Sequence, residues 1–177
     1  MGERGIGVLE NNGYEVFLRN LGSVTLGLVN CAGSIDREFY WDLRNKKRRQ
    51  DEARILSANY KLDRVGANFF DVSADFRVTV QDRKIEKVAL SIECKFEAHI
   101  HGEEPISREH ADRFTQSELR VVLWPYFRQF VSDTTVRMSV PPLFVPIALG
   151  KGGDAVDVRA MGGRRRSLKG RGTKTKR

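Results

Sequence analysis

The sequence has 177 residues, 40% of them apolar and 31% charged, a composition that fits one ordinary domain and excludes a chain disordered throughout. No run approaches the ~20 uninterrupted apolar residues of a membrane-spanning helix, so we expect no membrane insertion. The formal net charge of +8 belongs to the C-terminal end, because nine of the 31 Lys and Arg lie from Arg159 onward and leave 22 basic against 23 acidic residues before it.

The N-terminal segment, residues 1–52, gives mixed signals. Charges in residues 1–7 precede no apolar run of the signal-peptide type, so we expect a cytoplasmic protein. Residues 14–19 and 23–29 read as extended, and residues 38–56 read as a charged amphipathic helix. We therefore predict that residues 1–52 are partly strand and partly amphipathic helix, and we assign them no position in the fold.

A basic cluster at residues 46–49 lies within this predicted helix. Two acidic residues, Asp51 and Glu52, follow closely, so a solvated helix face is favoured over a phosphate contact. Residues 58–70 are predicted to add a strand.

Two alternating segments form the clearest local pattern. Apolar and polar residues alternate over 74–81 and again over 87–101, which is the period of a half-buried strand. The polar link 82–86 predicts that these strands form an antiparallel hairpin. Cys94 belongs to the apolar set of the second strand. It lies far from Cys31 in sequence, and we interpret both as free thiols with a core role favoured over a redox role.

The polar face of the second strand carries Glu97, His99 and His101. A solvated strand face is commoner than a metal site, and His110 is the last histidine that follows, so we expect neither a metal nor another cofactor. Carboxylate pairs follow at Glu103 with Glu104 and at Glu109 with Asp112. They lie in a polar stretch of turn-like composition, residues 102–118, so loop charge is favoured over acid–base catalysis.

A helix is predicted to begin near Pro125, since proline suits a first helical turn. Apolar residues recur behind it at spacings of three and four and give one apolar stripe. Pro141 and Pro142 forbid the helix to continue. The apolar run that follows, residues 143–149, is either part of the core or an exposed lip for binding.

The tail, residues 150–177, is rich in Gly, Arg and Lys and is predicted to be disordered. Its possible partners are RNA or another nucleic acid and an acidic protein surface, and a purely solubilising role is the third alternative. The candidate contacts with an anionic partner are Arg164, Arg165, Arg166, Lys169 and Arg171.

The helix and the double proline together resemble the signature of the SecB family of chaperones. The sequence Trp-Pro-Tyr-Phe-Arg-Gln-Phe-Val-Ser-Asp over residues 124–133 is followed by an arginine and by Pro-Pro-Leu-Phe-Val over 141–145. The matching motif residues are Pro125, Tyr126, Arg128, Ser132, Asp133, Arg137, Pro141 and Pro142. The likeness covers about residues 53–149, which we predict as the core.

Two departures separate the sequence from export SecB. The Cys-Pro-Asn motif before the helix is absent, which is more similar to SecB-like chaperones of toxin–antitoxin modules. The tail is basic, so the family's tail contact with the SecA translocase motor cannot be carried over, and the resemblance leaves this motor as a candidate partner without contact residues.

The resemblance implies an α+β fold, a four-stranded antiparallel sheet with helices on one face, and a homotetramer built as a dimer of dimers. It implies a chaperone without enzymatic activity that binds unfolded polypeptides, such as an antitoxin or a presecretory protein, in apolar grooves. The residues expected to contact the client are Val140, Leu143, Phe144, Val145, Phe69 and Phe70. A nucleic-acid-binding protein that acts through its tail is the alternative hypothesis.

Overall fold

The computed structural model describes residues 6–45, 50–145 and 156–157. The elements in chain order are α1 Ile6–Arg19, β1 Leu21–Ile35, α2 Arg37–Arg44, β2 Glu52–Val65, β3 Phe69–Asp82, β4 Val88–Gly102, α3 Arg108–Gln116, α4 Glu118–Arg137 and β5 Val156–Asp157. The predicted basic cluster at 46–49, the second half of the apolar run at 146–149 and the anionic-partner residues Arg164, Arg165, Arg166, Lys169 and Arg171 lie outside the described residues.

One antiparallel sheet organises the chain, with the strand order β1-β4-β3-β2-β5. Four strands are 14 or 15 residues long, whereas β5 contributes two residues that pair with Ile55 and Leu56 at the outer edge of β2. The predicted hairpin is confirmed as β3 and β4, and the α+β class with a four-stranded antiparallel sheet is confirmed as well.

The helices pack on one face of the sheet because β3 and β4 alternate apolar and polar side chains. Even-numbered residues of β3 from Phe70 to Val80 are buried beneath the helices. Phe76 of β3 stacks on Phe127 of α4 with ring centroids 4.6 Å apart, and Phe70 meets Phe114 of α3 at 5.4 Å. The opposite face is largely polar, and most of its side chains are exposed or half-buried, which is the ordinary result of period-two alternation.

The N-terminal elements belong to the same core. Phe17 of α1 lies against Phe70 and Phe114, with centroids 6.2 and 6.4 Å away, and β1 pairs with β4 along its whole length. The core predicted at residues 53–149 therefore extends to the N-terminal side in the structure. The terminal methyl of Met138 and the Thr134 side chain lie next to Gly33, so the end of α4 packs against β1.

Two N-terminal predictions were wrong in part. Residues 14–19 form the end of α1 rather than an extended segment, because Tyr14 and Phe17, three positions apart, share one buried helical face. The helix predicted over 38–56 ends at Arg44, and β2 begins at Glu52. The strand prediction for residues 23–29 is confirmed. The strand predicted over 58–70 is confirmed as far as Val65, where β2 ends, whereas Phe69 and Phe70 already belong to β3.

The polar stretch 102–118 is not a loop throughout. It contains α3, which is capped by the Ser107 hydroxyl accepting a hydrogen bond from the His110 N–H at 3.1 Å, so Glu109 and Asp112 lie on an exposed helix face. The next helix, α4, begins at Glu118, seven residues before Pro125. Proline removes one hydrogen bond to the carbonyl of residue 121, and Val121 is 70% exposed, so water can replace that donor.

Candidate functional site

The chain doubles back after α4 in a short segment, residues 139–145, which we name the crossover segment. Ser139 adopts φ 59°, a left-handed conformation that reverses the chain direction. The Val140 N–H then donates to the Thr135 carbonyl at 3.1 Å. From there the crossover segment returns along the side of α4.

Two side chains of α4 fix the crossover segment. The buried Thr135 hydroxyl accepts a hydrogen bond from the Leu143 N–H at 3.2 Å. Its single proton is shared within the helix between the carbonyls of Val131 at 3.0 Å and Ser132 at 2.8 Å. Two helical turns earlier, Arg128 Nε donates to the Val145 carbonyl at 3.3 Å. The two exposed prolines between Val140 and Leu143 have no N–H that would need a partner.

Exposure alternates along the end of the crossover segment. Leu143 and Val145 are 3% and 7% exposed, whereas Phe144 between them is 79% exposed. This alternation is the period of an extended chain that lies on a core. The side chains of Leu143 and Val145 point into the core, and the Phe144 ring between them therefore points into solvent. Val140 is buried like Leu143 and Val145.

An exposed apolar strip of α4 lies beside the end of the crossover segment. Val121 and Pro125 precede Arg128 by seven and three residues, a spacing that puts all three on one side of the helix. Arg128 donates to the Val145 carbonyl, which ties the end of the crossover segment to this side of α4. Val121, Pro125 and Phe144, all exposed, are named here the outer apolar surface.

The structure separates the residues predicted to contact a client. Phe70, Val140, Leu143 and Val145 are buried within the subunit and present no surface in this conformation. Phe69 faces the side of the sheet opposite the helices, because it precedes the buried Phe70 in β3. Only Phe144 of the predicted set belongs to the outer apolar surface.

The residues of the SecB-like motif lie on α4 and the crossover segment: Pro125, Tyr126, Arg128, Ser132, Asp133 and Arg137 in the helix, and Pro141 and Pro142 after it. Asp133 accepts a hydrogen bond from Gln129 Nε2 at 2.8 Å on the exposed side of α4. Tyr126 is 54% exposed. The motif therefore builds a helix with a folded-back segment rather than a catalytic arrangement.

Phe69 belongs to a polar cluster on the opposite face of the sheet. The Arg64 guanidinium lies 4.9 Å from its ring centroid and forms an ion pair with Asp71 at 2.7 Å. His99 Nδ1 is 2.6 Å from the other Asp71 oxygen. Partial burial of Asp71 opposes its ionisation, but the hydrogen bonds from His99 and Arg64 outweigh burial and hold its pKa below the usual range.

The histidines of the described chain are not gathered into one site. His99 contacts Asp71 and His101 contacts Asn68, both on the polar face of the sheet. His110 lies on α3, where its ring packs against Tyr14 and Phe17. Within the described residues, no group of three His, Cys, Asp or Glu is placed to hold a metal ion.

Strand β1 offers a second surface. Its 15 residues contain no charged residue and no proline, and it pairs with β4 along one edge only within the described part of the chain. Val24, Leu28 and Val29 are 48%, 46% and 54% exposed. A long apolar edge strand of this kind readily pairs with another chain, and proteins usually protect such edges with charges or proline.

Sequence reasoning missed the two residues that fix the crossover segment. Thr135 was not singled out by any pattern in the sequence, and Arg128 was noted only as a motif residue. The charge-free stretch of β1 was visible in the sequence, yet its position at the sheet edge depends on the order of strands.

For the described residues, no helix has the length and apolar character needed to cross a membrane.

Known proteins share a sequence pattern and a fold with this chain. The family model described as Preprotein translocase subunit SecB matches residues 46–148, which is more than half of the chain. No curated protein sequence matches it. The fold is similar to that of the Mycobacterium tuberculosis Rv1957 SecB-like chaperone in complex with a ChAD peptide from the Rv1956 HigA1 antitoxin, with a TM-score of 0.61, 20% identity, and coverage of 79% of this chain and 99% of that chain.

A more distant likeness is to a protein of unknown function from Streptococcus agalactiae. It has a TM-score of 0.36 and 12% identity, and it covers 70% of this chain and 97% of that one. This second likeness is too remote to support an argument.

Proposed function

The chain belongs to the SecB family, and we propose that it is a holdase chaperone that binds unfolded polypeptides on the outer apolar surface. The proposed activity is reversible burial of apolar client side chains against Val121, Pro125 and Phe144. It requires no covalent chemistry and no cofactor.

The exposure of Phe144 supports this proposal most directly. The Phe144 ring is 79% exposed, and hydrogen bonds with Thr135 and Arg128 fix the segment that carries it. The fold therefore holds this ring in solvent, and its exposure does not come from a loose chain end. Its carrier residues Leu143 and Val145 are buried and anchor the segment. In place of the groove expected from the sequence, we propose the outer apolar surface, with Leu143 and Val145 as its buried support.

The energetics suit a holdase. Full burial of a Phe side chain contributes about 2 kcal/mol, which alone gives weak and rapidly reversible binding. Several such surfaces in one assembly would raise the avidity for a long unfolded client, because the second contact is intramolecular. Weak single contacts and strong multiple contacts would let the chaperone release a client once it folds.

Strand β1 supports the homotetramer that the family resemblance implies. We propose that two copies pair through their β1 edges, which would cover Val24, Leu28 and Val29 and satisfy the outward-facing backbone groups of this strand. A dimer formed in this way is the first half of a dimer of dimers.

The proposed client is an unfolded antitoxin, with presecretory proteins as the second class. The Mycobacterium chaperone with the similar fold was solved with an antitoxin peptide, which supports the first choice. The cytoplasm is the compartment that this proposal implies, and both cysteines are free thiols there. A contact with the SecA motor stays a prediction.

The test compares two single substitutions of exposed apolar residues. Phe144→Ser removes the ring of the outer apolar surface, and Ile85→Ser removes a 59% exposed side chain at the β3–β4 turn. We expect Phe144→Ser to weaken the binding of a denatured client by roughly 30-fold per site, the equivalent of about 2 kcal/mol, and to impair aggregation suppression. Ile85→Ser should leave both unchanged. Full activity of Phe144→Ser would contradict the proposal.

The basic tail provides the alternative function, nucleic-acid binding. Nine cations from Arg159 onward, without one acid, would neutralise several phosphates and make RNA binding fall steeply with salt. Removal of residues 159–177 separates the two functions. Aggregation suppression should survive the truncation under the chaperone proposal. Loss of both aggregation suppression and RNA binding in the truncated chain would favour the alternative.

A further inference from the structure

Cys31 and Cys94, 63 positions apart in the sequence, are direct neighbours in the sheet. They face each other in the antiparallel pairing of β1 with β4, so their side chains project from the same face. The pairing depends on the register shift between Leu28 and Asn30, which inserts Val29 as an extra residue. Without this bulge, Asn30 would stand opposite Cys94.

The two thiols differ in accessibility. Cys31 is exposed at the edge strand, whereas Cys94 is buried at 4% exposure. Both line one open depression of about 370 Å³, so a small reagent can reach Cys31 and the bond that it forms lies next to Cys94. Burial raises the pKa of the Cys94 thiol to about 12, with neighbouring Cys31 and Asp75 adding to the effect.

We propose that Cys31 and Cys94 form a reversible cross-strand disulfide when the chain meets a small-molecule disulfide such as oxidised glutathione. The Cys31 thiolate attacks one sulfur of the oxidant, forms a mixed disulfide and releases one thiolate. Cys94 then loses its proton and attacks the Cys31 sulfur, which releases the second thiol. Two protein thiols are oxidised to one disulfide while the oxidant is reduced to two thiols.

The geometry makes this bond feasible and labile. Directly opposed residues of an antiparallel pair have Cβ atoms about 4.5–5.5 Å apart, and a disulfide needs about 3.5–4.5 Å. The strands must therefore approach locally by about 1 Å, and the strain makes the bond easier to reduce than a structural disulfide. Once formed, it fastens the edge strand β1 to the centre of the sheet.

The experiment uses the full chain, oxidised glutathione and peptide mass analysis. Trypsin without reductant releases residues 20–37, which contain Cys31, and residues 88–95, which contain Cys94. We expect one linked peptide with two hydrogens fewer than the two free peptides together, which disappears on addition of reduced glutathione. The linked form should unfold about 5–10 °C higher than the reduced form.

The pH dependence of the second step tests the roles of the two thiols. Closure of the Cys31 mixed disulfide should accelerate about tenfold per pH unit between pH 7 and 9, because the thiolate fraction of Cys94 rises in that proportion. Cys94→Ala should stop at the mixed disulfide, and Cys31→Ser should give neither product. A mixed disulfide that persists at pH 9 in the unchanged chain, or a bond between two copies of Cys31, would overturn the proposal.

Discussion

The Thr135 hydroxyl and the Leu143 N–H, eight residues apart, meet in a buried hydrogen bond of 3.2 Å that fixes the crossover segment to α4. The bond satisfies a backbone donor in a segment that has no secondary-structure partner for it. Its position one residue before Phe144 means that a threonine inside the helix controls how an exposed aromatic ring is presented.

The first prediction concerns this bond. Thr135→Val keeps the shape of the side chain but leaves the buried Leu143 N–H without its acceptor, which should lower the free energy of unfolding by about 1–3 kcal/mol. Urea unfolding of the purified variant measures the change. Thr134→Val, at the neighbouring half-buried position, is the control and should change stability little. Equal stability of both variants would show that the bond does not fix the segment.

Truncation of Leu143 should lower stability much more than truncation of its neighbour Phe144. Leu143→Ala creates a cavity in the core and should cost about 2–4 kcal/mol of stability. Phe144→Ala removes an exposed ring and should change stability by less than about 0.5 kcal/mol. Denaturant midpoints of the two variants provide the comparison. A large loss of stability in Phe144→Ala would mean that the ring is covered in the assembled protein.

The edge of β1 should determine the mass of the assembly. Leu28→Lys introduces a charge into a charge-free edge strand, where it would be buried by the proposed pairing of two copies. We expect the variant to shift to a smaller species in sedimentation or light scattering at micromolar concentration. Ile85→Lys makes the same chemical change at the β3–β4 turn and should keep the mass of the unchanged chain. An intact assembly with Leu28→Lys would exclude this edge as the interface.

Asp71 should contribute stability that depends on pH. Its pKa in the folded chain lies below the usual value of about 3.9, so its contribution is complete above that pH and is lost as the pH falls through the lower folded value. Asp71→Asn should therefore reduce stability at pH 7 by about 1 kcal/mol or less, and the difference should shrink near pH 3. Urea unfolding at both pH values measures it.

Local patterns in the sequence were sufficient to predict secondary structure where interactions between residues close in sequence dominate. The alternation around Ala74 and Cys94 predicted two strands of the right period, because their inner side chains face one continuous core. The same argument failed at Tyr14, where six residues are too few to distinguish a helix from a strand and tertiary contacts with α3 decide. The prediction that the helix begins near Pro125 was also wrong, because a proline can lie inside a helix when water solvates the freed carbonyl.

The sequence by itself determined the β3–β4 hairpin and the helix that ends before Pro141, since these follow from periodicity and backbone restrictions within a few residues, and its resemblance to the SecB family implied the α+β class. Only the tertiary structure decided which apolar residues of the crossover segment are buried, because that depends on hydrogen bonds from Thr135 and Arg128 to a segment folded back in space. It also decided that β1 is an edge strand and that Cys31 faces Cys94. Both depend on the order and register of strands distant in sequence, which no local pattern encodes.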